Sequence, residues 1–220
     1  MKITWLGQAG LLFEKDDYKI MIDPYLSDSV EKINPKNYRR VPVLESLFAI
    51  KPDMMIFTHN HLDHYDAATV QRYITSETVA TVLAPSSVWR VVRKIGGNNN
   101  FVCFNRHTEW TDHGIRFKAV KAEHGDEAAI GIIIEDGNQK YYITGDTLYN
   151  TEIFTDLPPD IDVVFLPVNG VGNNMNMEDA RRFAKDCGAK MAIPIHFGMF
   201  DSLVPEGFNI VPKIYKEIEL

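Results

Sequence analysis

The sequence predicts an α/β protein of one domain, residues 1–220, in which layered β-sheets are covered by helices on the outside. Short apolar runs typical of strands recur along the chain, with turn signals between them. Stretches with the apolar spacing of amphipathic helices lie between some of these runs, and no low-complexity linker divides the chain. A length of 220 residues, with 45% hydrophobic and 24% charged residues, suits one ordinary globular domain.

Strands are predicted where apolar residues alternate with polar ones or form short continuous runs. The N-terminal apolar patch is interpreted as a first strand rather than a signal peptide, because Gln8 interrupts it and no small-residue cleavage site follows. Asp136-Gly137-Asn138 is a strong hairpin signal between two β-rich runs. Further strand segments lie at 18–24, 53–59, 115–120, 162–168 and 191–196.

Helices are predicted where apolar residues recur at spacings of three and four. They lie at 66–74, 86–97 and 177–188. Two segments fit neither pattern: 26–50 is long and partly polar, and 169–176 is rich in Gly and Asn. Long irregular connections in compact domains are often functional, although each of these two is equally compatible with a mobile surface loop.

Charge and cysteine usage narrow the class of protein. The net charge is −7 and no basic run is longer than Arg39-Arg40. A nucleic-acid surface needs clustered Lys and Arg, so the sequence argues against nucleic-acid binding. No apolar run approaches the length of a transmembrane helix. Cys103 and Cys187 are far apart in the sequence, so we expect buried thiols in a reducing compartment and a cytoplasmic protein.

The segment "THNHLDHYD" at 58–66 contains three of the seven histidines of the chain. His59 and His61 are two residues apart, so at a strand end their side chains point the same way. Asp63 and His64 follow at the predicted junction of a strand with a helix, where all four side chains can converge. Imidazoles packed together are best satisfied by a divalent metal ion, so the pattern H-x-H-x-D-H predicts a metal site.

Four ligands from one turn cannot surround a metal, and other strand ends offer three more. His124 follows the strand at 115–120, Asp146 follows the strand that ends in "YIT", and His196 follows "IPI". Taken alone, an Asp after a strand is often a helix cap, and a His there is often structural. His107 and His113 lie in a polar turn and are interpreted as surface residues.

Five histidines and two aspartates are enough to bind two divalent cations. Such a pair typically lies about 3.5–4 Å apart, shares a bridging carboxylate and water, and lowers the pKa of that water. Ligands without a thiolate suit Zn or Mn, with Fe or Co as further options. The sequence therefore predicts hydrolysis by a metal-activated water.

The motifs "THNHLDHYD", "GD" at 145–146 and "PIHFG" resemble those of the metallo-β-lactamase-fold superfamily over nearly the whole chain. The resemblance implies a four-layer αββα sandwich with the metals at one sheet edge. It also implies that His59, His61 and His124 bind the first metal, that Asp63, His64 and His196 bind the second, and that Asp146 bridges them.

Longer segments, among them "WLGQAGLLFE", "IDP" at 22–24 and "GDTLYNTEIF", resemble the ascorbate-6-phosphate lactonase group, although the chain lacks the N-terminal extension and longer insertions expected of a true lactonase. The resemblance implies a hydrolase that opens a lactone or similar ester of a small polar or anionic substrate, such as a sugar-acid phosphate. Asp63 would orient or deprotonate the water. A phosphodiesterase or phospholipase-D-like activity on the same metals is the alternative, and a non-catalytic metal-binding protein is a third option.

Arg39, Arg40, Asn169 and Asn173 are candidate substrate contacts, since Arg can bind an anion through two hydrogen bonds and Asn can bind hydroxyls. Each also has a plain interpretation, as solvated charge for the arginines and as turn residues for the asparagines. The expected partner is a small-molecule substrate, with no nucleic acid and no membrane span. The oligomeric state stays open, with a homo-oligomer as one option.

Overall fold

Thirteen strands form two β-sheets in the computed structural model, which describes all 220 residues of the chain. In chain order the strands are β1 (Lys2–Gly7), β2 (Gly10–Lys15), β3 (Tyr18–Ile22), β4 (Met54–Ile56), β5 (Thr81–Ala84), β6 (Asn100–Cys103), β7 (Glu109–Asp112), β8 (Ile115–Lys121), β9 (Ile130–Asp136), β10 (Gln139–Ile143), β11 (Val163–Pro167), β12 (Met191–Ile195) and β13 (Lys216–Glu217). The helices are α1 (Ser29–Ile33), α2 (Ala67–Tyr73), α3 (Ser86–Val92) and α4 (Met177–Asp186). Short 3₁₀ helices span Glu45–Ala49, Arg93–Ile95 and Thr151–Asp156.

The first sheet has the strand order β13-β1-β2-β3-β4-β5-β6, and the second has the order β12-β11-β10-β9-β8-β7. Strands β3 to β6 are parallel to one another, as are β10, β11 and β12. Parallel neighbouring strands bring their carboxyl ends to the same edge of a sheet, so the residues that follow these strands lie near one another.

Alternating side chains of the first sheet divide between two apolar cores. Phe13 faces the second sheet and packs edge-on against Phe165, with ring centroids 6.0 Å apart. Its neighbour Leu12 faces the other way, into a core shared with α2 and α3. On the far side of the second sheet, Phe183 of α4 packs 6.2 Å from the ring of Tyr142. The order of layers is therefore helices, sheet, sheet, helix, which confirms the predicted αββα sandwich.

Most predicted elements are found where the sequence places them. The N-terminal apolar patch is two strands, β1 and β2, because the chain turns between Gly7 and Gly10. Strands β5, β6 and β7, of four residues each, are not among the predicted strands. The irregular segment 26–50 contains α1 and one 3₁₀ helix.

The expectation of buried thiols is wrong, because both cysteines are only partly buried and both are free. Cys103 ends the edge strand β6, and Cys187 lies at the C-terminal cap of α4. None of the four helices has the length and apolar character needed to cross a bilayer.

Candidate metal centre

The strand directions bring the predicted metal ligands to one edge of the sandwich. Strands β1, β3 and β4 run the same way in the first sheet, and β8, β10, β11 and β12 run the same way in the second. The residues after their carboxyl ends include Gln8, Asp23, His59, His124, Asp146, Asn169 and His196. Backbone hydrogen bonds join the two edges, from His196 N–H to the Gln8 carbonyl (2.8 Å) and from Ile130 N–H to the Thr58 carbonyl (3.0 Å).

His59, His61 and His124 form one group of potential metal ligands, with their ligand atoms within 4.8 Å of one another. Nε2 of His124 lies 3.0 Å from Nδ1 of His61. Nδ1 of His124 lies 3.2 Å from the carbonyl oxygen of Asn173, which can only accept a hydrogen bond. The proton of His124 is therefore on Nδ1, and the lone pair of Nε2 points into the group.

Asp63, His64 and His196 form a second group within the same distance limit. Nε2 of His196 lies 3.2 Å from Oδ2 of Asp63. These are the two sets that the resemblance implies for two metals, and the structure brings each set together.

Asp146 lies between the two groups and reaches both. Its Oδ1 is 3.2 Å from Nε2 of His64, and its Oδ2 is 3.2 Å from Nε2 of His196. The same Oδ2 is 4.0 Å from Nε2 of His124, which belongs to the first group. Gly145 makes this approach possible, because a Cβ there would lie 2.9 Å from the Ile130 carbonyl oxygen and 3.0 Å from Cβ of Thr58.

The nitrogen and oxygen atoms of the site suit a bound cation, because two of the buried imidazole nitrogens have no hydrogen-bond partner. Nε2 of His59 and Nε2 of His64 are buried and have no hydrogen-bond partner. Nε2 of His64 and Oδ1 of Asp146 lie 3.2 Å apart, and both are acceptors when the His64 proton is on Nδ1. Two acceptors at that distance require a proton or a metal ion between or beside them.

The electrostatics of the site favour ionised carboxylates and bound positive charge. Burial would raise the pKa of Asp146, but His196 and His64 hold it well below its ordinary value. Burial would likewise lower the pKa of His196, but the carboxylates of Asp146 and Asp63 raise it to about 9. Burial, together with His64, keeps the pKa of His59 well below its ordinary value, so this imidazole is neutral and has a free lone pair.

Asp23 supports the site and is a residue that sequence reasoning missed. It follows β3, is 1% exposed and accepts hydrogen bonds from the backbone and hydroxyl of Thr58. Nδ1 of His64 donates to Asp23 Oδ2 at 2.8 Å, which turns Nε2 of His64 toward Asp146. Although Asp23 could join His59 and His64 as a ligand group, its oxygens already have donors, so it acts as an orienting residue. Its position after an apolar strand is the same signal that identified Asp146.

Amide side chains also support the carboxylates. Gln8, which is 2% exposed, donates from Nε2 to Oδ2 of Asp63 at 2.8 Å. Asn174 donates from Nδ2 to Oδ2 of Asp146 at 2.7 Å. The amide of Asn169 lies 3.0 Å from Nδ1 of His196. The sequence does not show that Gln8 and Asn174 support carboxylates, because a single amide in a turn gives no signal of its partner.

A cavity of about 250 Å³ opens onto Asp63, Asp146 and His196. Asn169 lines this cavity, whereas the exposed Asn173 contributes its carbonyl to His124 instead. A wider cleft of about 740 Å³ lies beside His124, but the His124 side chain is fully covered on that face. The smaller cavity is therefore the one in contact with the candidate metal centre.

Arg39 and Arg40, which the sequence suggests as substrate contacts, do not line that cavity. The Arg39 guanidinium donates to the Tyr25 carbonyl (2.9 Å) and the Tyr215 hydroxyl (2.6 Å), so it ties 26–50 to the C-terminal segment. Arg40 is exposed and lies 5.0 Å above the ring of Tyr38. His107 and His113, which the sequence analysis interprets as surface residues, are exposed, with 66% and 61% of their side chains accessible.

Comparison with known proteins agrees with the fold. The family model described as "Beta-lactamase superfamily domain" matches residues 18–197. A UPF0173 metal-dependent hydrolase of Thermoplasma acidophilum is 28% identical, with 100% of this chain and 99% of the relative covered. The UPF0173 metal-dependent hydrolase YtkL of Bacillus subtilis is 26% identical, with 100% of both chains covered.

Among solved structures, a protein of Veillonella parvula described as a possible metal-dependent hydrolase superposes with a TM-score of 0.80. It is 18% identical, and the match covers 100% of this chain and 99% of that one. At 18% identity, this similarity is evidence for the fold alone. Together with the family model, which covers most of the chain, it leads to one conclusion: this protein belongs to the β-lactamase superfamily domain family and has the metallo-β-lactamase fold.

Proposed function

We propose that the protein is a metal-dependent hydrolase with two divalent cations, and that it opens a lactone or a similar ester of a small substrate. The observation that carries the proposal is the position of Asp146, whose two oxygens reach both groups of ligands. Relatives of nearly the same length bear the name metal-dependent hydrolase, which supports the general activity. Zinc or manganese is the expected metal, with iron or cobalt as further options.

Bound divalent cations would lower the pKa of water and polarise the carbonyl of the substrate. Side chains of the protein would carry out the remaining steps. Asp63 is the carboxylate that faces the cavity, with 20% of its side chain exposed against 6% for Asp146. It would accept a hydrogen bond from the attacking water and take up its proton, while Gln8 holds its Oδ2 in place. Asp146 would stay ionised, held by Asn174.

The test combines metal analysis with a panel of lactones, carboxylic esters and phosphodiesters. His61→Ala and Asp146→Ala should each bind less metal and lose at least ~100-fold in kcat/KM, since each removes a ligand and not only an orienting residue. His113→Ala, at an exposed histidine outside the site, is the matched control and should keep both properties. Turnover of the ligand variants at the wild-type level would refute the site.

The panel also separates the two candidate reactions. Hydrolysis of diesters but not of lactones or esters would replace the first proposal with the phosphodiesterase alternative. Full metal occupancy without turnover of any member of the panel would favour the non-catalytic option.

A further inference from the structure

We infer that the substrate is uncharged outside its reacting carbonyl and carries a small apolar group, which contacts Val30, Val171 and Phe200. This inference rests on the proposed function, since it names the class of substrate for the same site. It departs from the anionic, sugar-acid-phosphate-like substrate that the sequence resemblance implies.

The wall of the cavity is the first support. Apart from the metal-site residues and their amide neighbours, the cavity is lined by Gly172, by the polar side chains of Asn37 and Asp201, and by three apolar side chains, those of Val30, Val171 and Phe200. No Lys or Arg lines it. Recognition of a phosphate or a remote carboxylate normally uses such a cation, or free backbone N–H groups.

Two backbone donors beside the cavity are already in use. At the start of α1, the N–H of Val30 donates to the Tyr25 hydroxyl (3.2 Å), and the N–H of Ser29 donates to Ser27 Oγ (3.1 Å). In the wider cleft, Arg106 pairs with Asp156 and Lys121 with Glu152, whereas the exposed Arg90 lines that cleft but not the cavity.

The charge that does line the cavity is negative. Asp201 is at its rim, where one carboxylate oxygen accepts the N–H groups of Gly198 (2.9 Å) and Leu203 (2.8 Å). Asp63 and Asp146 add two further carboxylates, which bound cations would largely neutralise. A second anionic group on the substrate would therefore meet Asp201 and no side-chain cation of the protein.

The exposure of Val171 and the volume of the cavity also favour a small neutral substrate. Val171 is 67% exposed in the loop after β11, so it offers apolar surface that a ligand can cover. The volume of about 250 Å³ is below the range of about 300–1,000 Å³ typical of sites for drug-sized ligands. A small neutral substrate fits both observations.

Matched ligands and variants test the inference. For binding, metal-loaded protein is titrated with two lactams of the same shape, the neutral pyroglutamamide and the anionic pyroglutamate, by NMR. For turnover, γ-valerolactone is compared with the lactone that carries a carboxylate in place of its methyl group. For the lactones we expect the neutral member to be preferred by about tenfold or more, as expected for one well-placed apolar contact. For the lactams, which differ in charge but not in apolar surface, we expect the neutral member to bind more tightly.

Val171→Lys should reverse or abolish this preference, because it places a cation on the cavity wall. Val204→Lys, at a valine that is 71% exposed but outside the cavity, is the matched control and should leave the preference unchanged. Tighter binding of pyroglutamate by the wild type, absence of binding by either lactam, or equal effects of the two lysine variants would overturn the inference. If no ester, lactone or diester is turned over, the proposed function fails, and the lactam titration still decides the class of ligand.

Discussion

Three buried, non-glycine residues of the centre adopt a left-handed backbone conformation. Gln8, Asp23 and His196 have φ angles of 50°, 43° and 61°. This conformation costs an ordinary residue about 1–2 kcal/mol, so it persists only where surrounding contacts enforce it. Each of the three lies directly after a strand, and the sharp turn directs its side chain back into the centre. The geometry of the metal centre is therefore held by the backbone as well as by hydrogen bonds.

Asp23→Asn should weaken metal binding while leaving the fold intact. An amide cannot accept from Thr58 and His64 as strongly as a carboxylate, so His64 would lose the partner that orients Nε2. Loss of an orienting partner of this kind typically costs about 10–100-fold in metal affinity. Competition with a chelator of known affinity measures the effect, and Asp17→Asn, at an exposed aspartate, is the control. Unchanged affinity in Asp23→Asn would show that the Asp23–His64 contact has no orienting role.

At the scale of elements, α2 anchors the turn that supplies four of the seven predicted ligands. Asp66 caps this helix, with its carboxylate accepting from the N–H groups of Ala68 and Thr69, both at 3.2 Å. The Ser29 hydroxyl also donates to Asp66 at 2.9 Å, so the cap connects α1 to α2. A short helix depends strongly on such a cap, because it has few internal hydrogen bonds.

Asp66→Ala should lower the free energy of unfolding by about 1–2 kcal/mol, the usual effect of losing an N-cap. Asp66→Asn should lose clearly less, because the amide oxygen can still accept from the backbone of α2. Urea denaturation of the metal-free protein measures both, so that differences in bound metal do not enter the comparison. Equal losses in the two variants would mean that the charge of Asp66, and not its capping, is what stabilises this region.

For the whole molecule, the sequence predicts the ligands better than it predicts their supports. His59, His124, Asp146 and His196 could be named as candidate ligands because a chelating side chain within three residues of the end of an apolar strand is visible without knowing which strands pair. The hydrogen bond from Gln8 to Asp63 could not be predicted, since the two residues are 55 positions apart in the sequence. The contacts of Arg39 could not be predicted for a related reason. Arg39 appeared free in the sequence, but its guanidinium is engaged by Tyr215, 176 positions away.

Another contact between distant segments, around Asp156, links the two sheets. Arg106 lies in the connection from β6 in the first sheet to β7 in the second, and its guanidinium donates two hydrogen bonds to Asp156, at 2.6 and 2.9 Å. The backbone N–H of Lys121, at the end of β8, donates to the same carboxylate at 2.9 Å. Asp156 is only 8% exposed, whereas 44% of the Arg106 side chain is accessible, so these contacts are sheltered from solvent on the carboxylate side only. The hydrogen bonds from Arg106 hold the pKa of Asp156 well below its ordinary value.

This pKa shift predicts a pH-dependent contribution to stability. A depressed pKa in the folded state means that the contribution is complete above the unfolded pKa, about 3.9, and decreases as the pH falls toward the folded value. Asp156→Asn should therefore reduce the free energy of unfolding by about 2 kcal/mol at pH 7, the scale of hydrogen bonds to a charged group. The difference from wild type should shrink below about pH 4. Urea denaturation at several pH values measures it, and comparing the two proteins at each pH cancels the titration of the metal ligands. Asp160→Asn, at an exposed aspartate, should show no such difference, and a deficit in Asp156→Asn that stays constant down to pH 3 would contradict the ionic origin of this contribution.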